Sequence, residues 1–147
     1  FMRTYKHTIT VRLHLPILKK IVHEGVGTIS SVNTILKDTL ELWTMSAGDI
    51  NLQVSCNKVL THMIGTGDLY LSGNTYEHAC TAIGNGFFYG EQLQTNYSWL
   101  SWAGTGNAKV RASGLLIAFL KLSGDVYYTG NPNLISEITG TGKLLTY

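Results

Sequence analysis

Three aspartates, Asp49, Asp68 and Asp125, are the acidic residues whose positions could support catalysis or Ca²⁺ binding. Each directly follows a glycine, and each lies in a different repeat of the chain. Acid–base catalysis needs such groups close together on one surface, and a Ca²⁺-binding β-roll needs Gly-Gly-x-Gly-x-Asp at half this spacing. We therefore interpret these aspartates as turn residues that bond nearby backbone amides, with catalysis or Ca²⁺ binding as the less favoured alternative.

Nothing else in the sequence has the spacing of a catalytic, metal or nucleotide site. The histidines never lie three to five residues from a cysteine or an acid, as zinc ligands do, and His78 is expected to be a hydrogen-bonded core residue. Gly84-Asn85-Gly86 is not followed by a helix that could present its N-terminus to a pyrophosphate. The sequence thus predicts a protein that is not an enzyme, with no catalytic residue, no metal and no cofactor.

These residues are positioned by a motif of closely spaced small residues and glycines that returns about every 20 residues. Its clearest example is Gly65-Thr66-Gly67-Asp68-Leu69. The second glycines of the motif are Gly27, Gly48, Gly67, Gly86, Gly106, Gly124 and Gly142, at separations of 21, 19, 19, 20, 18 and 18 residues. A period of this length is typical of a solenoid, in which each repeat is one structural unit.

Alternating apolar residues on both sides of each glycine predict strands, because successive side chains of a strand point to opposite faces. Inward columns are expected two residues after the second glycine and four residues before it: Leu69, Phe88, Ala108 and Val126, and Ala82, Trp102 and Leu120. One coil cannot bury such residues, but stacked coils can. We therefore predict an all-β fold, a single-stranded parallel β-helix with 18–21-residue coils, in which Trp102 is buried.

Residues 1–147 are predicted to form one domain, with strands in residues 1–23 that lead into coils in residues 24–147. Residues 8–15 alternate with period two and are expected to form a strand that places Ile9, Val11, Leu13 and Leu15 on one face. A short helical turn is considered only in residues 30–38. The turn glycines are expected to provide positive φ or to let neighbouring backbones approach closely.

The low charge of the chain argues against nucleic acid or an anionic membrane as a partner. Its net charge is +2, 14% of its residues are charged, and no basic run occurs. No apolar stretch approaches the roughly 20 residues of a membrane span, and Phe1-Met2-Arg3-Thr4 does not begin a signal peptide. We interpret Cys56 and Cys80 as free thiols, while a disulfide and the cell compartment stay open.

Two outward ladders carry more apolar side chains than solvated strands need. Three residues after the second glycine lie Tyr70, Tyr89 and Tyr127, whose flat rings suit sugar rings. Three and five residues before it lie Met45, Ile64, Ile83 and Trp43. A loop, upstream strands or a subunit could cover both ladders, or they contact a ligand.

We predict that the three tyrosines contact a ligand. Self-association is expected either through the ladder of Trp43, Met45, Ile64 and Ile83 or through the C-terminal strand in residues 143–147. That last strand has no following coil and little charge, and unpaired strand edges invite pairing.

The repeat motifs themselves resemble a known family. The runs Gly65-Thr66-Gly67-Asp68-Leu69-Tyr70-Leu71-Ser72-Gly73 and Gly124-Asp125-Val126-Tyr127-Tyr128-Thr129-Gly130-Asn131-Pro132, followed by Ile138-Thr139-Gly140-Thr141-Gly142, are similar to the putative auto-transporter adhesin, head GIN domain family, common in Bacteroidetes. Residues 11–27 resemble the way that family leads into its repeats. The resemblance covers nearly the whole chain and departs at Ser46 and Leu122, where the family has glycine.

This resemblance implies a right-handed β-helix that is exported to the cell surface or periplasm, often behind a lipoprotein signal, with the family's first strands lying upstream of this chain. It implies no catalytic residue. We therefore expect a non-enzymatic adhesin that binds a polysaccharide or a surface protein. A structural module that self-assembles is the alternative, and a polysaccharide-active enzyme is the least favoured interpretation.

Overall fold

The inward columns that the repeat predicts are present as stacked strands. In the computed structural model, which describes residues 8–147, the chain winds into an all-parallel β-solenoid of about seven turns. These residues contain no helix, and so none long and apolar enough to cross a membrane. The predicted all-β parallel β-helix is confirmed.

Ten strands form one sheet, in which every hydrogen-bonded neighbour is parallel. They are β1 (Lys20–His23), β2 (Ile29–Ser30), β3 (Ile35–Thr44), β4 (Ile50–Met63), β5 (Leu69–Ala82), β6 (Phe88–Trp102), β7 (Ala108–Leu120), β8 (Val126–Thr129), β9 (Asn133–Ile138) and β10 (Leu144–Thr146). The sheet runs in the order β1-β3-β4-β5-β6-β7-β8-β10, while β2 pairs with β4 and β9 pairs with β7. Each coil is thus hydrogen-bonded only to the coils before and after it.

The strand register aligns equivalent positions of successive repeats. Leu69 pairs with Phe88, Phe88 with Ala108, and Ala108 with Val126, which confirms the predicted column. All four side chains are at most 1% exposed. The interior is therefore a set of continuous apolar columns, in which each aliphatic side chain contributes about 1.5–3 kcal/mol through burial.

Two aromatic side chains in one inward column also close their own turns. Trp102 is fully buried, as predicted, and its indole Nε1 donates a hydrogen bond to the carbonyl oxygen of Gly106 at 2.8 Å. His23 occupies the same column in the first coil, and its Nε2 is hydrogen-bonded to the carbonyl oxygen of Gly27 at 2.6 Å. In both coils the ring therefore packs in the core and satisfies a turn carbonyl that would otherwise lack a partner.

The turn glycines are required for close packing of backbones. A Cβ atom on Gly67 would overlap the carbonyl oxygen of Gly48, and one on Gly86 would overlap that of Gly67. The alternative expectation of positive φ is wrong for the turn glycines, because the residues with positive φ in the described chain are Gly73 (104°) and Gly130 (98°). The missing Cβ atoms allow coils to stack at strand spacing through the turn.

The aspartates after the turn glycines link neighbouring coils. Asp49 Oδ1 accepts a hydrogen bond from the backbone N–H of Asp68, and Asp68 Oδ1 accepts one from Phe87, both at 2.8 Å. Asp125 Oδ1 likewise accepts from Lys143 N–H at 2.8 Å. These residues lie at the turn as predicted, but the amides that they bond belong to the next coil. A carboxylate in this ladder therefore holds two coils together.

The N-terminal stretch differs from the expectation. Residues 8–19 form no strand, and Ile9, Val11, Leu13 and Leu15 are 57–81% exposed, so the predicted strand in residues 8–15 is wrong. Residues 1–7 of the predicted leading strands lie outside the described residues. Period-two alternation creates an apolar face, but a strand also needs a hydrogen-bonded neighbour. At the register of β1 on β3, the following coil offers only the two-residue β2 and the first two residues of β3.

Residues 30–38 contain bends followed by the start of β3, so the helical turn considered for this segment is not present.

Cys56 and Cys80 are both buried free thiols, as interpreted from the sequence. Burial raises the pKa of Cys80 to about 12. Its thiol is therefore protonated at neutral pH and acts as a small apolar core group.

Candidate functional site

The solenoid presents two lateral faces that meet at the glycine turn. We call the outward residues at the ends of β3–β7 and β9 the pre-turn face, and those at the starts of β4–β8 and β10 the post-turn face. Outward side chains in equivalent positions form ladders along the solenoid axis, because the strands are parallel and in register. The residues of both faces are held in place because they lie on or beside paired strands.

Two of the three predicted tyrosines lie together on the post-turn face. Tyr70 and Tyr89 are cross-strand neighbours whose rings are stacked, with centroids 4.6 Å apart and planes 6° apart. Phe87, which is 38% exposed, extends this cluster with its centroid 6.2 Å from that of Tyr89. The third, Tyr127, is separated from Tyr89 by Lys109 in the same ladder. The structure therefore gives one aromatic cluster and one more distant tyrosine.

The phenol hydroxyls are held by the aspartates of the inter-coil ladder. Tyr70 donates a hydrogen bond to Asp68 Oδ2 at 3.3 Å, and Tyr127 donates one to Asp125 Oδ2 at 3.5 Å. Burial, with a smaller contribution from the Asp68 charge, raises the pKa of Tyr70 above its usual value. The Tyr70 hydroxyl is therefore a neutral group that can also accept a hydrogen bond from a ligand.

Lys109 supplies a positive charge beside the tyrosines of the post-turn face. Its Nζ lies 3.9 Å from Glu91 Oε1 and 5.9 Å from the ring centroid of Tyr89. The ladder therefore combines aromatic edges, phenol hydroxyls and an ammonium group that can all contact one extended ligand. We call Tyr70, Phe87, Tyr89, Lys109 and Tyr127 the tyrosine face.

On the pre-turn face, the predicted self-association residues fall into two environments. Met45, Ile64 and Ile83 form an aliphatic ladder with 42%, 38% and 59% of their surfaces exposed. Trp43 is more enclosed, because its ring stacks on His62 at 4.1 Å and Lys20 Nζ lies 4.7 Å above it. Three members of the predicted set are therefore open for contact, while Trp43 is already packed.

The pre-turn face also carries a cleft that the sequence reasoning missed. Trp99, which is 37% exposed, and Phe119 have ring centroids 6.2 Å apart and planes tilted by 58°. The depression has a volume of about 340 Å³, and its lining residues are Trp99, Ser101, Phe119, Lys121, Glu137 and Thr139. The outward position seven residues before the second glycine would have indicated Trp99. We call this site the Trp99 cleft.

The two faces carry aromatic rings, hydroxyls and isolated charges. In the part of the chain that the structure describes, no three His, Cys, Asp or Glu residues are grouped closely enough to hold a metal ion. Aromatic rings, hydroxyls and isolated charges are instead the groups that recognise sugars and polar protein surfaces. A parallel β-helix with two lateral faces is the class of protein that this arrangement defines.

The family model for "putative auto-transporter adhesin, head GIN domain" matches residues 1–132, and the chain belongs to this family. No curated protein matches the chain in sequence.

Two solved structures are similar to this fold. A putative adhesin from Bacteroides fragilis NCTC 9343 superposes with a TM-score of 0.86 at 25% identity, covering 90% of this chain and 62% of that one. A putative adhesin from Parabacteroides distasonis ATCC 8503 gives a TM-score of 0.76 at 19% identity, with 82% and 51% covered, and shows the shared fold. This chain thus spans about half to three fifths of the length of these proteins.

Proposed function

We propose that this chain is a non-enzymatic binding domain of an exported adhesin, and that its tyrosine face contacts a polysaccharide or a surface protein. Membership of an adhesin family supports the general role. The names of the two similar structures, both putative adhesins, support it as well. The polysaccharide is the ligand that the chemistry of the tyrosine face favours.

The observation that carries this proposal is the rigid Tyr70–Tyr89 stack. Two rings held 4.6 Å apart on paired strands have little rotamer freedom left, so a ligand would bind with little further loss of entropy. The stacked pair and the neighbouring Lys109 form a strip that combines aromatic rings with an ammonium donor. A sugar chain that follows the axis could place apolar C–H groups on this strip and hydroxyls on Lys109 and Tyr127.

Glycan binding is tested by applying the purified chain to an array of neutral and acidic oligosaccharides. We expect wild type to bind a subset of them, and Tyr70→Ala and Tyr89→Ala to weaken that binding at least about tenfold through loss of the stacked surface. Tyr76→Ala removes an aromatic side chain that is 53% exposed outside the tyrosine face and should bind like wild type. Unchanged binding by both tyrosine-face variants would remove this face from the proposal.

Export to the cell surface or periplasm, behind a lipoprotein signal in a Bacteroidetes-type cell, is the second part of the proposal. It is supported by the auto-transporter adhesin family and by the source organisms of the two similar structures. The test is protease treatment of intact cells that express the full-length gene product. Degradation before lysis supports surface exposure, and protection in both intact cells and osmotically opened cells contradicts export.

Self-association is the second candidate function, and the exposed aliphatic ladder of Met45, Ile64 and Ile83 favours it. Their 38–59% exposure in one line gives a contact strip that a second copy of the chain could cover. The edge of β10 is the other candidate surface. Its Leu144–Thr146 backbone pairs with β8 on one side only within the described chain.

A further inference from the structure

We propose that the Trp99 cleft is a binding subsite for an uncharged pyranose ring, separate from the tyrosine face. The two sites lie on the post-turn and pre-turn faces, at opposite ends of the strands: in β6, Tyr89 is near the start and Trp99 is near the end. The inference rests on the proposed function in one respect, since both take a saccharide as the ligand. It does not depend on any contact with Tyr70, Tyr89 or Tyr127.

The first argument is the orientation of the rings. Tyr70 and Tyr89 are nearly parallel and stack on each other, whereas Trp99 and Phe119 are tilted by 58° to each other and both line the depression. The neighbours of Trp99 in its own ladder are Ala79 and Ile117. Ala79 is small, and 37% of the surface of Trp99 is exposed. An open indole face is the surface on which the C–H face of a pyranose packs.

The second argument is the polar rim around these rings. Glu137 is the cross-strand neighbour of Phe119, and Ser101 is its neighbour on the other side. Neither Glu137 nor Lys121 belongs to any ion pair found in residues 8–147. The carboxylate can accept hydrogen bonds from sugar hydroxyls, and the ammonium can donate to them. One charge of each sign lines the cleft, so the cleft favours a neutral sugar over an acidic one.

The third argument is size. A volume of about 340 Å³ lies at the lower end of the range of small-molecule sites, about 300–1,000 Å³. The cleft therefore suits one sugar ring and its substituents. Because it is an open depression on a lateral face, a longer glycan could continue on either side of the bound ring.

The experiment is a titration of the purified chain with cellohexaose, maltohexaose and mannohexaose, together with the oligosaccharide array. Tryptophan fluorescence follows binding to the chains that keep Trp99, and titration calorimetry gives the affinities of wild type and of the Trp99 variants, which lack this reporter. Trp102 is fully buried and Trp43 is packed on His62, so a sugar on the pre-turn face changes mainly the emission of Trp99. We expect at least one neutral oligosaccharide to change the emission, and Trp99→Ala to lose at least tenfold in its affinity. Trp99→Phe should recover part of that affinity, and Glu137→Gln should weaken it with an unchanged melting temperature.

Tyr76→Ala is the matched control, because it removes an exposed aromatic that does not line the cleft. If Trp99→Ala abolishes binding while Tyr89→Ala does not, the cleft is the site and the tyrosine face is not. If Tyr89→Ala abolishes binding while Trp99→Ala and Glu137→Gln bind like wild type, the inference is wrong and the tyrosine face stands. Absence of binding to every neutral oligosaccharide overturns the inference, and binding only to acidic glycans does so too.

Discussion

His78 is a polar residue in the middle of an apolar column, paired with Val59 in one coil and Ser98 in the next. It is 1% exposed, its Nε2 is hydrogen-bonded to the hydroxyl of Thr61 at 3.1 Å, and its ring lies 5.0 Å from that of Phe88. Burial lowers the pKa of His78 from 6.5 to about 4. The folded protein therefore keeps this imidazole neutral at a pH where the unfolded chain protonates it.

This difference predicts a loss of stability in mild acid. As the pH falls from 6.5 toward 4, the unfolded chain binds a proton that folded His78 does not, so the free energy of unfolding falls by about 3 kcal/mol and then levels off. Urea unfolding at pH 7 and at pH 4.5 measures it. His78→Leu should reduce the dependence on pH, whereas His14→Gln, in the exposed N-terminal stretch, should keep it. Equal pH dependence in wild type and His78→Leu would contradict the lowered pKa.

Trp102→Ala should be among the most destabilising substitutions. It removes a fully buried indole between Ala82 and Leu120 and leaves the carbonyl oxygen of Gly106 without its donor. We expect a loss of about 3–5 kcal/mol from the free energy of unfolding, measured by chemical denaturation. Trp102→Phe, which keeps part of the volume, should lose less. Point mutations typically cost about 1 kcal/mol of the free energy of unfolding. A Trp102→Ala protein that loses no more than this would show that the column is packed differently.

At the scale of elements, the turn glycines differ in the space around them. Some are packed against the backbone of the neighbouring coil, and one lies in open space, so substitutions should separate the two cases. Gly67→Ala places a Cβ against the backbone carbonyl of Gly48, which cannot rotate away, while Gly27→Ala meets nothing within 4 Å. We expect Gly67→Ala to cost about 1–3 kcal/mol or more and Gly27→Ala to stay within about 0.5 kcal/mol of wild type. Thermal unfolding of the two variants checks this, and equal melting temperatures would mean that coil spacing adapts at the turn.

The sequence predicted the coils and their register because both follow from local patterns. A period of 18–21 residues and inward apolar positions suffice to place Phe88 over Leu69 and Trp102 over Ala82. The predicted strand in residues 8–15 is wrong because an alternating pattern indicates that one face is apolar. It does not show whether a neighbouring strand is available for hydrogen bonding. The fixed direction of Asp49 and Asp68 toward the next coil likewise depends on contacts across coils, which one repeat does not contain.

The candidate site was less predictable than the fold. The tyrosine ladder was visible at one offset from the glycine, but the insertion of Lys109 between Tyr89 and Tyr127 gives the ladder two unequal parts. The Trp99 cleft combines side chains of three strands at three different offsets. Its existence depends on ring tilts and on the small side chain of Ser101, which the repeat pattern does not encode.

For the whole molecule, we predict that copies of the chain associate with one another. One charge introduced into the aliphatic ladder should weaken this association. Ile64→Lys places an ammonium group in the middle of the aliphatic ladder between Met45 and Ile83, where covering it would cost desolvation. Sedimentation velocity over a range of concentrations should show wild-type oligomers and a shift of Ile64→Lys toward monomer. Thr66→Lys, a charge at the exposed turn of the same coil, is the control. A wild-type monomer at high concentration, with Ile64→Lys unchanged in solubility, would contradict this prediction.

Because the strands lie across the solenoid and neighbouring coils are paired in parallel, the hydrogen bonds between coils run along the axis, with β1 at one end of the sheet and β10 at the other. A tension applied between the two ends therefore pulls on the hydrogen bonds between all coils, and we expect an end coil, whose strand is paired on one side only within the described residues, to detach first. Each released coil of 18–21 residues adds up to about 60–75 Å of contour length. Pulled between its ends, the solenoid is therefore expected to lengthen in steps of one coil.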